Sequence, residues 1–244
     1  MSRKSKRNPR DTISQPPPAA ATTQTLFMNR RNLFVVAVMA LLLAFVVAML
    51  LYKTEKVQSQ QSAASGNPPA LVSAQSPRFG AADAKVHIVE FLDPACETCA
   101  LFFPHVKALL EANPGRLRLS VRHVPFHQGS EQVVRILEAA RSQDKYLPTM
   151  EALYAAQNRW VVQHVVQPDE VWKVLAGVGL DLDRIRREMN EPELVRRVEQ
   201  DLSDARLLGV TKTPEFFVNG RPLPSFGLEQ LRQLVNEELR RAYP

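Results

Sequence analysis

Glycine and cysteine are both scarce, with nine glycines and two cysteines in 244 residues. So few glycines leave little room for phosphate-wrapping loops, and neither G-x-x-x-x-G-K nor G-x-S-x-G occurs, so an NTPase or serine hydrolase has no support. Gly177-Val178-Gly179 begins a G-x-G but follows a helical stretch and lacks the third glycine, which makes it a helix end. A basic body is lacking as well. The net charge is +6, yet seven of the 31 Lys and Arg and one of the 25 Asp and Glu fall in residues 1–32. The other 212 residues therefore hold 24 charges of each sign, and no electrostatic footprint for nucleic acid exists there. The arginine run of Arg184, Arg186, Arg187, Arg196 and Arg197 is interleaved with Asp183, Glu188, Glu191 and Glu199, the pattern of a solvated helix face.

Charge disappears altogether from Leu33 to Tyr52, LFVVAVMALLLAFVVAMLLY, a run of 20 residues. As a helix this run is about 30 Å long, the thickness of a bilayer's hydrocarbon core. It has no polar stripe, as a soluble core helix would, and it is longer than the apolar part of a signal peptide. It reads as an uncleaved transmembrane signal anchor. Seven basic residues precede it and two (Lys53, Lys56) follow closely, which places the N-terminus in the cytoplasm and residues 53–244 outside. The expected location is thus the cytoplasmic (inner) membrane, single-pass, with a periplasmic or otherwise extracytoplasmic domain. Residues 1–32 are expected to be a disordered basic tail. Residues 53–78, rich in Ser, Gln, Ala and Pro, are expected to be a flexible linker with an r.m.s. span of about 28 Å.

Globular patterning runs from 79 to 244. VHIVEFLD (86–93) and LRLSVRHVPF (117–126) read as strands flanking a helix over 96–113. A helical block follows over about 128–209, broken at Pro148, Pro168 and Pro192. PEFFVNG (214–220) returns to β character, Asn219-Gly220 signals a hairpin, and an amphipathic helix closes the chain. The order is β–α–β, helical block, β–β–α: an α/β fold with an inserted helical subdomain.

The two cysteines, Cys96 and Cys99, stand together in DPACETCA. A structural disulfide between them would close too small a ring to stabilise much. A zinc site would need His123 and His127 as well, but the separation of these pairs does not suit one, and no metal site is expected. Free structural thiols in this spacing would oxidise outside the cytoplasm. A redox dithiol remains. Cys96 starts a helix, where the dipole and free N–H groups favour its thiolate, and Cys99 lies one turn on, where it can resolve a mixed disulfide. Glu90, six residues earlier in an apolar strand, is either edge-exposed or a buried carboxyl with a raised pKa that exchanges a proton with Cys99. Thr213-Pro214, ahead of the last β-run, is either cis or an ordinary trans start to an edge strand.

These segments together resemble the DsbA-like thiol–disulfide oxidoreductases of the thioredoxin superfamily. The resemblance spans residues 77–240 and rests on VHIVEFLDPACETCALF, RHVPFH, EALYAAQ, GLDLDRIRREM and LLGVTKTPEFFVNGRPL. It implies a thioredoxin-like fold with a helical insertion, Cys96 as attacking and Cys99 as resolving cysteine, Glu90 as the buried acid, and Thr213-Pro214 as a cis-proline loop that pairs with substrate. It implies thiol- or disulfide-containing protein substrates and a redox partner that resets the pair, with no cofactor. Two departures stand out: Lys212 and Glu215 flank Thr213-Pro214, and the redox-tuning dipeptide is Glu97-Thr98 where Pro-His is common in strong oxidants. A Glu97 carboxylate at roughly 7 Å would oppose the Cys96 thiolate by about 0.6 to 2.4 kcal/mol. Two other readings of the pair are a thiolate module binding a soft ion such as Cu(I), and a redox-independent chaperone or assembly factor.

Overall fold

The computed structural model describes residues 30–244. The basic tail expected over 1–32 lies outside the described residues as far as position 29. The first helix, α1 (Arg30–Gly66), contains the uncharged run and is the one described helix long and apolar enough to cross a membrane. The chain divides into two units, Met1–Ala48 and Met49–Pro244. The described part of the first is helical and exposed throughout.

The second unit is built on a five-stranded mixed sheet in the order β1 (Arg78–Gly80), β3 (Leu117–His123), β2 (Val86–Leu92), β6 (Glu215–Val218), β7 (Arg221–Pro222). Strand β2 is parallel to β3 and antiparallel to β6, with Glu90 opposite Val121 and Phe216. All seven residues of β2 are buried, which places it at the centre of the sheet with both faces covered. Helix α3 (Glu97–Ala112) follows β2 and keeps Pro104 inside it. Between β3 and β6 lies the insertion: α4 (Ser130–Arg141), α5 (Tyr146–Ala155), α6 (Gln157–Trp160), the small hairpin β4 (Val161–Val162) and β5 (Val165–Val166), α7 (Pro168–Leu175), α8 (Leu182–Glu188) and α9 (Pro192–Leu207). Trp160 is fully buried there as a packing residue. Helix α10 (Leu228–Ala242) closes the chain. The thioredoxin-like fold with a helical insertion is therefore present. Strand β1 and the β4–β5 hairpin carry too few residues for periodicity to reveal them.

One expectation is corrected. Residues 53–78 are not a flexible coil. Helix α1 runs on through Lys53–Gly66, because Lys, Glu, Gln and Ala are good helix formers and no Gly or Pro interrupts them before Gly66 and Pro68. A short α2 (Pro68–Leu71) follows, and Ala64, Ala70 and Leu71 are buried against Val89, Phe91 and Phe217 on one face of the sheet. Lys56, Val57, Gln60 and Ala64 fall on one helical face, and the Gln60 side-chain amide donates to the Gly209 carbonyl at 3.1 Å. Arg122, wholly buried on β3, fastens this segment: its guanidinium donates to the Ala70 and Leu71 carbonyls and to the carboxylates of Asp201 and Asp204 on α9. The linker completes the core, covering a sheet face that would otherwise meet water.

Candidate active site

The centre of the sheet delivers β2 to the start of α3, and Asp93-Pro94-Ala95 makes the bend between them. Cys96 is the N-cap of α3, and its Sγ accepts from the Cys99 N–H at 3.4 Å. Both cysteines are buried and unbridged. The Cys96 pKa is lowered from 9.0 to about 6, first by a hydrogen bond from the Cys99 thiol, then against burial by Thr213 and the N–H groups of Thr98 and Cys99. Those amides are among the unsatisfied donors of a helix N-terminus, so the sequence position of Cys96 produces the effect. Burial, followed by the hydrogen bond to Cys96, pushes the Cys99 thiol well above its ordinary value. The two sulfurs are thus strongly differentiated.

Glu90 is 3 % exposed, which settles its place: it sits on the central strand and not on an edge. Burial foremost, and the nearby Cys96 charge, push its carboxyl from 4.5 to about 8. It lines an apolar cavity of about 50 Å³ with Leu92, Phe103, Val106, Tyr146 and Met150. Thr213-Pro214 is a cis peptide at the start of β6, a strand interior to the sheet, and the Thr213 carbonyl lies 3.4 Å from Cys96 Sγ. The structure thus brings Cys96, Cys99, Thr213 and Pro214 together, with Glu90 behind them in the core. Of the flanking residues, Lys212 lies over the Phe226 ring at 5.0 Å, and Glu215 is buried with its carboxyl pKa raised by desolvation.

The Glu97 carboxylate, in the first turn of α3, lies 3.4 Å from His164 Nδ1. Of the two histidines at and just after the end of β3, His123 shares a 2.8 Å hydrogen bond with the Tyr146 hydroxyl, while His127 Nδ1 lies 2.7 Å from Asp93. Asp93 is a site residue that sequence reasoning took only as a strand boundary. Its fully buried carboxylate also accepts from the Ala95, Phe126 and His127 N–H groups and the Ser130 hydroxyl, tying the bend before Cys96 to the loop after β3. The only signal for this in the sequence was an acidic residue at the end of an apolar strand.

The family model described as thioredoxin matches residues 73–237. The chain belongs to the thioredoxin family. A thioredoxin-like oxidoreductase from Silicibacter pomeroyi, solved by crystallography, is 28% identical with a TM-score of 0.62, covering 72% of this chain and 98% of that one. The probable disulfide bond formation protein D of Bacillus anthracis is 24% identical over 67% of this chain and 78% of its own length. The Na(+)/H(+) antiporter NhaA of Herminiimonas arsenicoxydans is 32% identical over 59% of this chain, yet the match spans only 22% of that protein. The family member described here thus covers about a fifth of the length of several curated relatives it matches.

Proposed function

We propose that this chain is a membrane-anchored thiol–disulfide oxidoreductase whose Cys96–Cys99 pair exchanges disulfides with secreted or membrane proteins outside the cytoplasm. The observation that carries the reading is the asymmetry of the pair. Cys96 is held as a thiolate at the N-terminus of α3 and Cys99 is held as a thiol beneath it. Residues 33–52 supply the anchor, and the excess of basic residues ahead of them supports a cytoplasmic N-terminus.

In the donor direction, a client thiolate attacks Cys96 Sγ of the oxidised pair, the S–S bond breaks, and Cys99 leaves with the electron pair. Glu90, protonated at neutral pH, supplies the proton Cys99 takes up. The client's second thiolate then attacks its own sulfur in the mixed disulfide and Cys96 leaves as a thiolate. The client is oxidised by two electrons and the pair reduced by two. The Thr213 carbonyl, beside Cys96 Sγ, is placed to pair with the client backbone.

A sulfur with a pKa of about 6 leaves readily and stabilises the reduced pair. At pH 7 that stabilisation is about 1.4 kcal/mol over an ordinary thiol, equivalent to about 30 mV of added oxidising power. The sign favours disulfide donation, and a redox partner must then reoxidise the pair. Cys96→Ser should abolish exchange in either direction, and Cys99→Ser should accumulate mixed disulfides with clients; turnover by Cys96→Ser would overturn the reading. Equilibration with glutathione buffers tests the direction. A potential near or above about −180 mV supports donation, and one near or below about −250 mV makes the protein a reductase.

A further inference from the structure

Glu97, His127 and His164 come from three separate parts of the chain: the first turn of α3, the loop after β3, and the tip of the β4–β5 hairpin. Their meeting has a structural cause. Gln128 and Val165 form an isolated parallel bridge, with the Val166 N–H donating to the Gln128 carbonyl at 3.0 Å, so the residues preceding each, His127 and His164, lie side by side. Their ring centroids are 5.8 Å apart. One ring nitrogen of each and a Glu97 carboxylate oxygen all fall within 4.8 Å of one another.

A surface Glu–His ion pair would account for Glu97 and His164 alone. It does not account for the way His127 is held. Its Nδ1 faces the wholly buried Asp93 carboxylate at 2.7 Å, and that carboxylate is itself fixed by three backbone N–H groups and the Ser130 hydroxyl. A carboxylate that accepts from Nδ1–H sets the tautomer with the Nε2 lone pair free, which is the second layer of support that metal-bound imidazoles possess. The hairpin tip is also unusual. Gln163 and His164 both have left-handed φ, 49° and 63°, in a two-residue turn that favours Asn-Gly.

We propose that Glu97, His127 and His164 bind a divalent transition-metal ion of the zinc class. Two imidazoles and one carboxylate suit such an ion and leave a fourth position open to water or to a ligand from a client. The site is separate from the cysteine pair but shares its dipeptide, so an occupied site converts the negative charge beside Cys96 in the sequence into a metal-bound carboxylate. The inference does not depend on the redox reading.

The test is a Zn²⁺ titration of the untagged full-length chain in detergent, followed by calorimetry and by competition with a chromogenic chelator. The Cys96–Cys99 disulfide is formed first, so that no thiolate competes. The expected result is one Zn²⁺ per chain, weakened about tenfold or more in His164→Ala and in Glu97→Gln. Both residues are exposed, so matched thermal melts of the metal-free variants establish that folding is intact. The Cys96→Ser/Cys99→Ser double variant should bind Zn²⁺ as the oxidised wild type does. Absence of saturable one-to-one binding, or His164→Ala binding equal to wild type, overturns the proposal.

Discussion

The low pKa of Cys96 has a dominant source, and removing it gives a sharp test. The Cys99 thiol is the largest contributor, ahead of Thr213 and the α3 backbone amides. A hydrogen bond to a charged acceptor is worth about 1.5 to 3 kcal/mol, and one pKa unit corresponds to about 1.4 kcal/mol, so Cys99→Ala should raise Cys96 by about one to two units. Its midpoint should move from about 6 to roughly 7–8. At pH 7 the thiolate fraction would fall from about nine-tenths to between about a half and a tenth. Cys99→Ser keeps a hydroxyl donor and should shift less. The assay is the ultraviolet absorbance of the thiolate against pH in the reduced full-length chain, with the rate of alkylation as a second readout. A Cys99→Ala midpoint still near 6 would remove Cys99 as the donor; a wild-type midpoint near the ordinary 9.0 would refute the whole arrangement. Because the folded pKa is depressed, the reduced protein should also lose stability as pH falls from 9.0 through about 6.

Glu90→Gln should stabilise the protein, since a carboxyl raised from 4.5 to about 8 contributes stability below pH 4.5 that is lost as pH rises through 8. The loss is about 3 kcal/mol at pH 7, so urea melts should separate variant from wild type more at pH 8 than at pH 5; a constant gap would contradict the burial argument. Arg122→Met should cost about 3 to 5 kcal/mol in the same melts, because it strands Asp201 and Asp204 beside each other; a cost below about 1 kcal/mol would show that the guanidinium network is dispensable. Limited proteolysis should spare residues 57–72 in the wild type and cut them in Arg122→Met. Rapid cleavage there in the wild type would restore the flexible linker.

Much of the architecture is legible in local pattern. An uncharged stretch long enough for a bilayer, three changes of hydrophobic period and a Cys-x-x-Cys at a strand–helix junction are all local signals. They led to the candidate membrane-spanning helix, the fold and the proposed redox pair, and Asn219-Gly220 marked its hairpin because a left-handed turn has few acceptable residues. What stayed hidden depends on distance in the chain. Whether Glu90 lay at an edge was a question of strand order, and only the placement of β2 between β3 and β6 buried it and raised its pKa. The polar composition of 53–78 suggested a coil, since one helical face of small residues and glutamines shows its value only when a bare sheet face waits beneath it. Asp93 gained its partners from a loop more than thirty residues away. Glu97 acquired a histidine neighbour through a two-residue bridge with no sequence signature. Local pattern settles which element a residue joins; its charge state and its neighbours follow from burial and long-range packing, which only the folded chain supplies.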